Sequence, residues 1–306
     1  MSPVARVFVT RRIPGAELER LCEAHDTTVW PERRPPTYAE LRREAAGAEG
    51  LLTTLSDRID AELIDGAPRL RAVANYAVGY DNIDLPAAAR RDIQVGNTPD
   101  VLTDATADLT WALLMAAARR LPEALENART DWITWEPGGF LGASVQGAAL
   151  GIIGNGRIGS AVARRAGGFD MHVIIAGRDD DLGQLLQDSD FVSLHVPLTA
   201  ETEHLIDADA LSLMKDTAIL INTSRGEVVD QQALGEALHA GRIAGAALDV
   251  TTPEPLPPAD PLWGAPNLIV VPHIGSATHE AREGMTELAV ENLLAALDGR
   301  PMPHRV

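Results

Sequence analysis

Cysteine and lysine are almost missing from this sequence. Cys22 is the single cysteine among 306 residues, which excludes an intramolecular disulfide framework and a multi-cysteine zinc or iron–sulfur site. Lys215 is the single lysine, so a GK[ST] phosphate-binding loop is absent and Schiff-base chemistry would depend on that one side chain. We therefore expect a protein of a reducing compartment, the cytoplasm, with no bound metal ion.

Positive charge and long apolar runs are also scarce. The 26 basic residues stand against 44 acidic ones, which gives a formal net charge of −18. This excess of negative charge repels phosphodiester backbones and anionic lipid, and it argues against nucleic-acid or membrane-surface binding. No apolar stretch approaches the roughly 20 residues of a membrane span. A chain of this length buries a large core without cross-links, and two domains are a better expectation than one.

Short apolar or β-branched segments alternate with helical patterns along nearly the whole chain. This alternation is typical of parallel strands joined by crossover helices. A first series of strands ends near residue 97, and a second series of five or six begins at Ala148. Between them lie a long helical pattern, 103–120, and a tryptophan-rich stretch, 131–142. A last helix is predicted over 277–297.

One glycine-rich segment separates a predicted buried strand, 148–153, from a predicted helix, 157–166. Its sequence, GNGRIG, has the spacing GxGxxG. In this context the glycines allow a tight turn and a close approach to a pyrophosphate at the positive end of the helix. The alternative is a βα turn without a ligand. We expect a dinucleotide here, contacted by Gly154, Gly156, Arg157, Ile158 and Gly159.

Three further residues follow predicted strands of the second series. Arg225, Glu254 and His273 all fall where strands end, and ligands of open α/β sheets bind at that edge. Taken alone, each of the three is more simply explained as a structural residue than as a functional one. Together they are the set that hydride transfer to a keto acid requires, namely a cation for the carboxylate, a proton donor, and an acid that stabilises the protonated donor.

Several segments resemble the D-isomer-specific 2-hydroxyacid dehydrogenases, in register over nearly the whole chain. Residues 75–84 are similar to the family's substrate-domain motif. The glycine loop and residues 222–226, 248–255 and 272–278 are similar to its nucleotide-domain signatures. The closest resemblance is to the glyoxylate/hydroxypyruvate reductases, carried by the segments 98–104, 119–124, 132–135, 249–257 and 273–279.

The resemblance implies an α/β fold of two doubly wound parallel-sheet domains. A flavodoxin-like substrate domain would comprise 1–98 plus 277–306, and a Rossmann nucleotide-binding domain 99–276, with the active site in the cleft between them. Arg225 would bind the substrate carboxylate and polarise the carbonyl, His273 would be the general acid, and Glu254 its hydrogen-bonded partner. Leu55 and the backbone amides around Val78 and Gly79 would complete the substrate site. Further cofactor contacts are expected from Gly177, Arg178, Pro197, Thr223, Asp249, His273 and Gly275.

The expected cofactor is NADPH, with NADH also accepted. An NAD-preferring site usually places an acid about 20 residues beyond the glycine loop, but here the second strand ends in Gly177-Arg178. The guanidinium of Arg178 suits a 2′-phosphate, while three aspartates, 179–181, oppose it. The segment 179–190 is also shorter than in the relatives that the resemblance suggests, which puts the ribose contacts in doubt.

Other readings remain open. The same fold serves dinucleotide-sensing corepressors, and the same enzyme class includes dehydrogenases for formate, phosphite or phosphoglycerate. The sequence carries no basic tail, and no further domain is expected after the last helix, which weakens the corepressor and phosphoglycerate readings. A homodimer is the expected assembly. Trp132 and Trp135 are either packing residues of the chain itself or part of an interface at which Trp135 reaches a neighbouring subunit's active site.

Overall fold

The computed structural model describes residues 4–306, which fold as two compact units. The first unit extends to Leu102 and resumes at Ala277–Val306, and the second is Thr103–Ser276. Each unit is a parallel sheet with helices, so the α/β fold class is confirmed. Among the described residues, no helix combines the length and apolar character that crossing a membrane requires.

The first unit contains five parallel strands in the order β2-β1-β3-β4-β5. This is the flavodoxin-like order, as the resemblance predicted. The strands are β1 (Arg6–Val9), β2 (Asp26–Val29), β3 (Gly50–Thr53), β4 (Ala72–Asn75) and β5 (Gln94–Gly96). The helices are α1 (Glu17–Ala24), α2 (Tyr38–Ala45), α3 (Ala61–Asp65), α4 (Leu85–Arg90) and, at the end of the chain, α11 (His279–Leu297).

Local sequence accounts for much of this unit. Every residue of β3 and β4 is buried, as expected for central strands covered on both faces. The predicted capping box opens α2, because Glu40 N–H donates to the Thr37 hydroxyl while Thr37 N–H donates to the Glu40 carboxylate. Helix α11 packs against β3 and β4. Its Leu293 and Leu297 side chains lie against Gly50, which has no side chain to keep them away. The chain therefore returns to this unit to cover one face of its sheet.

The second unit contains six parallel strands in the order β11-β10-β9-β8-β6-β7. They are β6 (Ala149–Ile153), β7 (His172–Ala176), β8 (Phe191–Leu194), β9 (Ile219–Asn222), β10 (Gly245–Leu248) and β11 (Leu268–Val270). The helices are α5 (Thr103–Ala118), α6 (Leu121–Thr130), α7 (Arg157–Ala166), α8 (Leu182–Asp188), α9 (Ala208–Leu213) and α10 (Gln231–His239), with short 3₁₀ turns at Gly167–Phe169, Gly226–Val228 and Pro261–Gly264. The direction of winding reverses between β6 and β8, and a doubly wound sheet binds its ligands at such a point.

The sheet of the second unit ends at β7. The short segment 177–190 forms one helix, α8, and no strand that could pair with the outer edge of β7. Val173 and Ile175 of β7 are consequently exposed. The brevity of this segment, visible in the sequence, thus removes the third strand of the common Rossmann order.

The helix predicted over 103–120 is confirmed as α5, and a second helix follows it. Helix α5 ends at Ala118, Arg120 adopts a left-handed conformation with φ of 51°, and α6 begins at Leu121 with Pro122 in its first turn. Proline is well placed there because its missing N–H is not needed in a first turn. The sequence interpretation did not include α6.

The tryptophan-rich stretch after α6 lies on the surface. Trp132 is 72% exposed and Trp135 is 79% exposed, so the interpretation of both as packing residues within the chain is wrong. Helix α6 has no buried residue. Leu121, Leu125, Ile133 and Leu141 are exposed beside the two tryptophans in sequence. We call α6 together with residues 131–142 the apolar patch.

Candidate active site

The glycine loop follows β6 and opens α7, as the sequence predicts. Gly154 has φ of +102°, and a Cβ there would lie 2.6 Å from the carbonyl oxygen of His195. A Cβ on Gly159 would lie 2.1 Å from the carbonyl oxygen of Gly154, whereas one on Gly156 would meet nothing within 4 Å. The first and third glycines thus permit close packing, and the second leaves an open face.

That open face fits the pyrophosphate of a dinucleotide. Gly156 is the N-cap of α7 and carries no side-chain cap, so no side chain covers the first amides of the helix. The loop therefore offers amide donors at the positive end of a ten-residue helix. Arg157 and Ile158 form the first turn, next to Gly156. These are the residues that would hold the cofactor's phosphates.

The end of β8 forms the neighbouring wall. The His195 ring bonds to the Ser193 hydroxyl at 2.9 Å, and burial lowers the pKa of His195 to about 4. The imidazole is therefore neutral at physiological pH. The carbonyl of Pro197 accepts a hydrogen bond from the Thr202 hydroxyl, which shapes the loop beyond the strand.

At the end of β7, one of the three aspartates makes a hydrogen bond that the sequence pattern did not reveal. The backbone N–H of Gly177 donates to the carboxylate of Asp180 at 2.7 Å. Asp181 caps α8 through the N–H of Gln184. Arg178 is exposed, and its charge is one of the weaker influences that lower the pKa of Glu201, after the Thr199 hydroxyl and the backbone of Glu201 itself. Arg178 therefore lies toward the loop beyond β8, and in the described part of the chain no ion pair joins it to Asp179.

The end of β9 forms a compact turn that presents Arg225. The Asn222 side chain donates to the carbonyl of Arg225 at 2.8 Å and accepts from Ser224 N–H at 3.0 Å. Gly226 packs against the backbone of Thr251, where a Cβ would lie 2.2 Å from the nearest atom. Thr223 bonds through its hydroxyl to Thr110 of α5. The guanidinium is half-buried on a rigid turn.

Asp249, directly after β10, holds the loop that follows β11. Its buried carboxylate accepts from the N–H of Ile274 at 2.6 Å and from the N–H of Gly275 at 2.8 Å. Its carbonyl accepts from His273 N–H at 2.9 Å. Burial raises the pKa of Asp249, while the two amides oppose that rise. The sequence interpretation placed Asp249 near the cofactor. The structure shows that its hydrogen bonds within the chain are with the loop that follows β11.

Glu254 and His273 are in hydrogen-bond contact. The His273 Nδ1 atom lies 3.0 Å and 3.2 Å from the two carboxylate oxygens of Glu254. The His273 backbone has φ of 51°, a left-handed conformation that the Asp249 contacts hold. Glu254 is itself positioned by Thr251 N–H at 3.3 Å, and Thr252 N–H is bound by Gln231. With Nδ1 turned to the carboxylate, Nε2 is the nitrogen that faces other partners.

Arg225, Glu254 and His273 therefore follow three adjacent strands, β9, β10 and β11, at one edge of the sheet. The glycine loop lies at the same edge after β6. Hydrogen bonding within the unit, through Asn222, Asp249 and Gln231, sets the direction of each loop. The contacts of Asp249 and Gln231 escaped the sequence interpretation because their partners lie 25 and 21 residues away, whereas Asn222 binds residues two and three positions further on.

The residues predicted to complete the substrate site lie in the first unit. Leu55 follows β3, and Val78 and Gly79 follow β4, so both loops leave the carboxyl ends of neighbouring strands. Their role in binding substrate stays a prediction.

Among the described residues, neither a metal-binding cluster nor a lysine at the carboxyl end of a strand is present. Over positions 4–306, no group of three or more His, Cys, Asp or Glu side chains is placed to hold a metal ion. Lys215 bonds to the Asp190 carboxylate at 2.7 Å and to the Asp188 carbonyl, just before β9 begins. It therefore lies at the amino end of that strand.

Comparison with known proteins decides the family. Residues 111–275 match the family model described as "D-isomer specific 2-hydroxyacid dehydrogenase, NAD binding domain". The chain belongs to this family. A glyoxylate reductase from Thermococcus kodakarensis is 51% identical over 316 aligned residues, covering 97% of this chain and 95% of that protein.

Solved structures agree with that assignment. A protein from Thermus thermophilus superposes with a TM-score of 0.93 at 50% identity, covering 98% of this chain and 99% of that one. An NADPH-dependent glyoxylate/hydroxypyruvate reductase from Sinorhizobium meliloti, in complex with NADP and malonate, gives a TM-score of 0.88 at 34% identity, covering 99% and 97%. The predicted family and its fold are confirmed. As a member of this family, the chain has a domain that binds a nicotinamide cofactor.

Proposed function

We propose that this D-2-hydroxyacid dehydrogenase reduces glyoxylate and hydroxypyruvate to the corresponding 2-hydroxy acids. The observation that carries the proposal is the 3.0 Å contact between His273 and Glu254, at the sheet edge that also carries the glycine loop. A histidine paired with a carboxylate is a proton donor suited to a carbonyl oxygen that becomes a hydroxyl. The relatives named glyoxylate reductase support the substrate class.

Each site residue has a distinct task in this proposal. Arg225 binds the substrate carboxylate through two parallel hydrogen bonds from its planar guanidinium group, and it polarises the carbonyl. His273 delivers a proton from Nε2 to the carbonyl oxygen. Glu254 stabilises the positive charge of the imidazolium before that transfer. A bound nicotinamide would supply the hydride.

Turnover of a panel of 2-oxo acids tests the proposal. With NADPH or NADH present, we expect glyoxylate and hydroxypyruvate to be the best substrates, measured by loss of reduced nicotinamide absorbance. His273→Asn should lower kcat by roughly 10²–10⁴-fold, the usual contribution of general acid catalysis. Cofactor binding, measured by fluorescence titration, should survive this substitution.

Two outcomes would contradict the assignment. Absence of turnover on every 2-oxo acid, with dinucleotide binding retained, would favour a sensing protein. Turnover confined to the oxidation of formate, phosphite or phosphoglycerate, with NAD⁺ or NADP⁺ as hydride acceptor, would keep the enzyme class and overturn the substrate. Near-normal kcat in His273→Asn would remove this histidine from proton transfer.

We further infer that NADPH is preferred and NADH accepted. The ribose of a dinucleotide binds near the end of the second strand of such a sheet, which is β7 here. Arg178 follows that strand and offers a guanidinium to a 2′-phosphate. The Asp180 carboxylate already occupies the N–H of Gly177, so a phosphate at this strand end would have to compete with it. Arg178 thus favours NADPH, and Asp180 limits the preference.

Substitutions at these two positions should act in opposite directions. Arg178→Ala should lower kcat/KM for NADPH about 10–100-fold and affect NADH much less, because a charge-assisted bond to phosphate is lost. Asp180→Asn should raise the NADPH to NADH ratio of kcat/KM. Asp179→Asn is the matched control, since it removes the same charge one residue away without touching Gly177. An exposed charge alone is worth less than about 1 kcal/mol, or roughly fivefold.

A wild-type kcat/KM that is higher with NADH would contradict the preference. Equal effects of Asp179→Asn and Asp180→Asn would show that the negative charge held beside Gly177 has no special part in it.

We also propose a homodimer that buries the apolar patch. Exposed apolar areas of this kind mark interaction surfaces, and two-fold dimers are the commonest soluble assemblies. In the patch, Ile133 is exposed more than either tryptophan. An interface here would place Trp132 and Trp135 against a second copy of the chain.

Sedimentation velocity at micromolar concentration should show a dimer. Ile133→Glu should shift the protein toward monomer, because a buried charge without a partner opposes association. Val173→Glu, on the exposed edge strand β7, is the control and should leave the dimer intact. A monomeric wild type would refute the dimer, and a dimeric Ile133→Glu protein would place the interface elsewhere.

A further inference from the structure

The loop that follows β4 has three successive carbonyl groups held by hydrogen bonds. The carbonyl of Ala77 accepts from Thr98 N–H at 2.9 Å. The carbonyl of Val78 accepts from the side-chain amide of Asn97 at 2.8 Å, and that of Gly79 from the side-chain amide of Asn75 at 2.8 Å. The orientation of all three peptide planes is therefore set by donors from β4 and from the chain just after β5.

Peptide geometry converts these bonds into a direction for the opposite groups. In a planar trans peptide, the N–H points away from the preceding carbonyl. The amides of Val78, Gly79 and Tyr80 consequently point away from Thr98, Asn97 and Asn75. Within residues 4–306 none of these three N–H groups donates to a protein acceptor. Consecutive amides without a protein acceptor are available to bind an anion together.

Asn97 and Asn75 are themselves firmly held. Asn97 is buried, its N–H donates to the His304 carbonyl at 3.1 Å, and its carbonyl accepts from the Asn292 side chain at 3.0 Å. Asn75 is fully buried, and its side-chain oxygen accepts from the Thr53 hydroxyl at 3.0 Å. Rigid donors of this kind leave the Val78–Gly79 and Gly79–Tyr80 peptide planes little freedom to turn.

We propose that Asn97 and Asn75 are positioning residues that aim the Gly79 and Tyr80 amides, respectively, at the carboxylate of the substrate. The inference rests on the proposed reduction of 2-oxo acids. In this proposal the two asparagines act only through the carbonyls that they bind. Their effect therefore belongs to carboxylate binding and not to proton or hydride transfer.

Replacing Asn97 by Asp is the sharpest test. The change preserves shape but turns the donor toward Val78 into an acceptor, so the peptide is repelled from its position. We expect the KM for glyoxylate to rise about tenfold or more, with a smaller change in kcat, as for a misaligned bond to a charged group. Inhibition by oxalate, a dicarboxylate without a reducible carbonyl, should weaken in parallel. The Kd for NADPH should be unchanged.

Two further variants separate positioning from stability. Asn75→Asp changes the second held peptide independently, and it should show the same selective rise in KM, which keeps the test valid if one variant fails to fold. Leu63→Ala lowers the stability of the same unit's core without a hydrogen bond to the loop, and it should leave KM for glyoxylate unchanged.

Values of KM and oxalate affinity within twofold of wild type in both asparagine variants would overturn the inference. So would losses that match Leu63→Ala, with lower thermal stability and unchanged KM. A wild-type protein that reduces no 2-oxo acid would instead be a failure of the proposed function.

Discussion

The carboxylate of Asp249 is the constraint on which the catalytic geometry depends. It accepts hydrogen bonds from the N–H groups of Ile274 and Gly275, and the backbone carbonyl of Asp249 accepts one from the N–H of His273. These bonds fold the chain back immediately after β11 and hold His273 in a left-handed conformation that an ordinary residue rarely adopts. Without that fold the imidazole would not meet Glu254, which is positioned separately by Thr251.

Buried polar side chains shape the strand ends of both units in the same manner. Asn222 closes the turn that presents Arg225, and Asn75 holds the peptide of Gly79. In each case a side chain at the end of a parallel strand binds a backbone group a few residues later. The polar atoms are satisfied, so their burial costs little, and the loops they hold become rigid. Preorganised loops suit a reaction in which small substrates must be oriented accurately.

Much of this architecture could be predicted from the sequence. Alternating strands and helices, the capping box at Thr37 and the glycine loop are local patterns, and each has a direct physical reading. Family motifs in register placed Arg225, Glu254 and His273 at strand ends, where the structure has them. Helix α6 escaped prediction because the proline-containing segment after Arg120 gives little local indication of a second helix.

The supporting contacts could not be predicted in this way. Asn97 reaches Val78 across 19 residues, and Asp249 reaches Ile274 across 25. Such pairs arise only when the sheet brings distant strand ends together. The bond between Asp180 and Gly177 is local, but its geometry depends on how α8 begins after a shortened segment, and a run of three aspartates does not distinguish among its members.

The pairing of Glu254 with His273 is the central claim, and the effect of Glu254→Gln on turnover tests it most directly. The carboxylate lies 3.0 Å from Nδ1 of the histidine that is proposed to donate the proton to the carbonyl oxygen. A neutral amide replaces this charge-assisted bond by a weaker one, so kcat/KM for glyoxylate should fall by roughly tenfold or more in Glu254→Gln. A kcat/KM equal to that of the wild type would contradict the pairing.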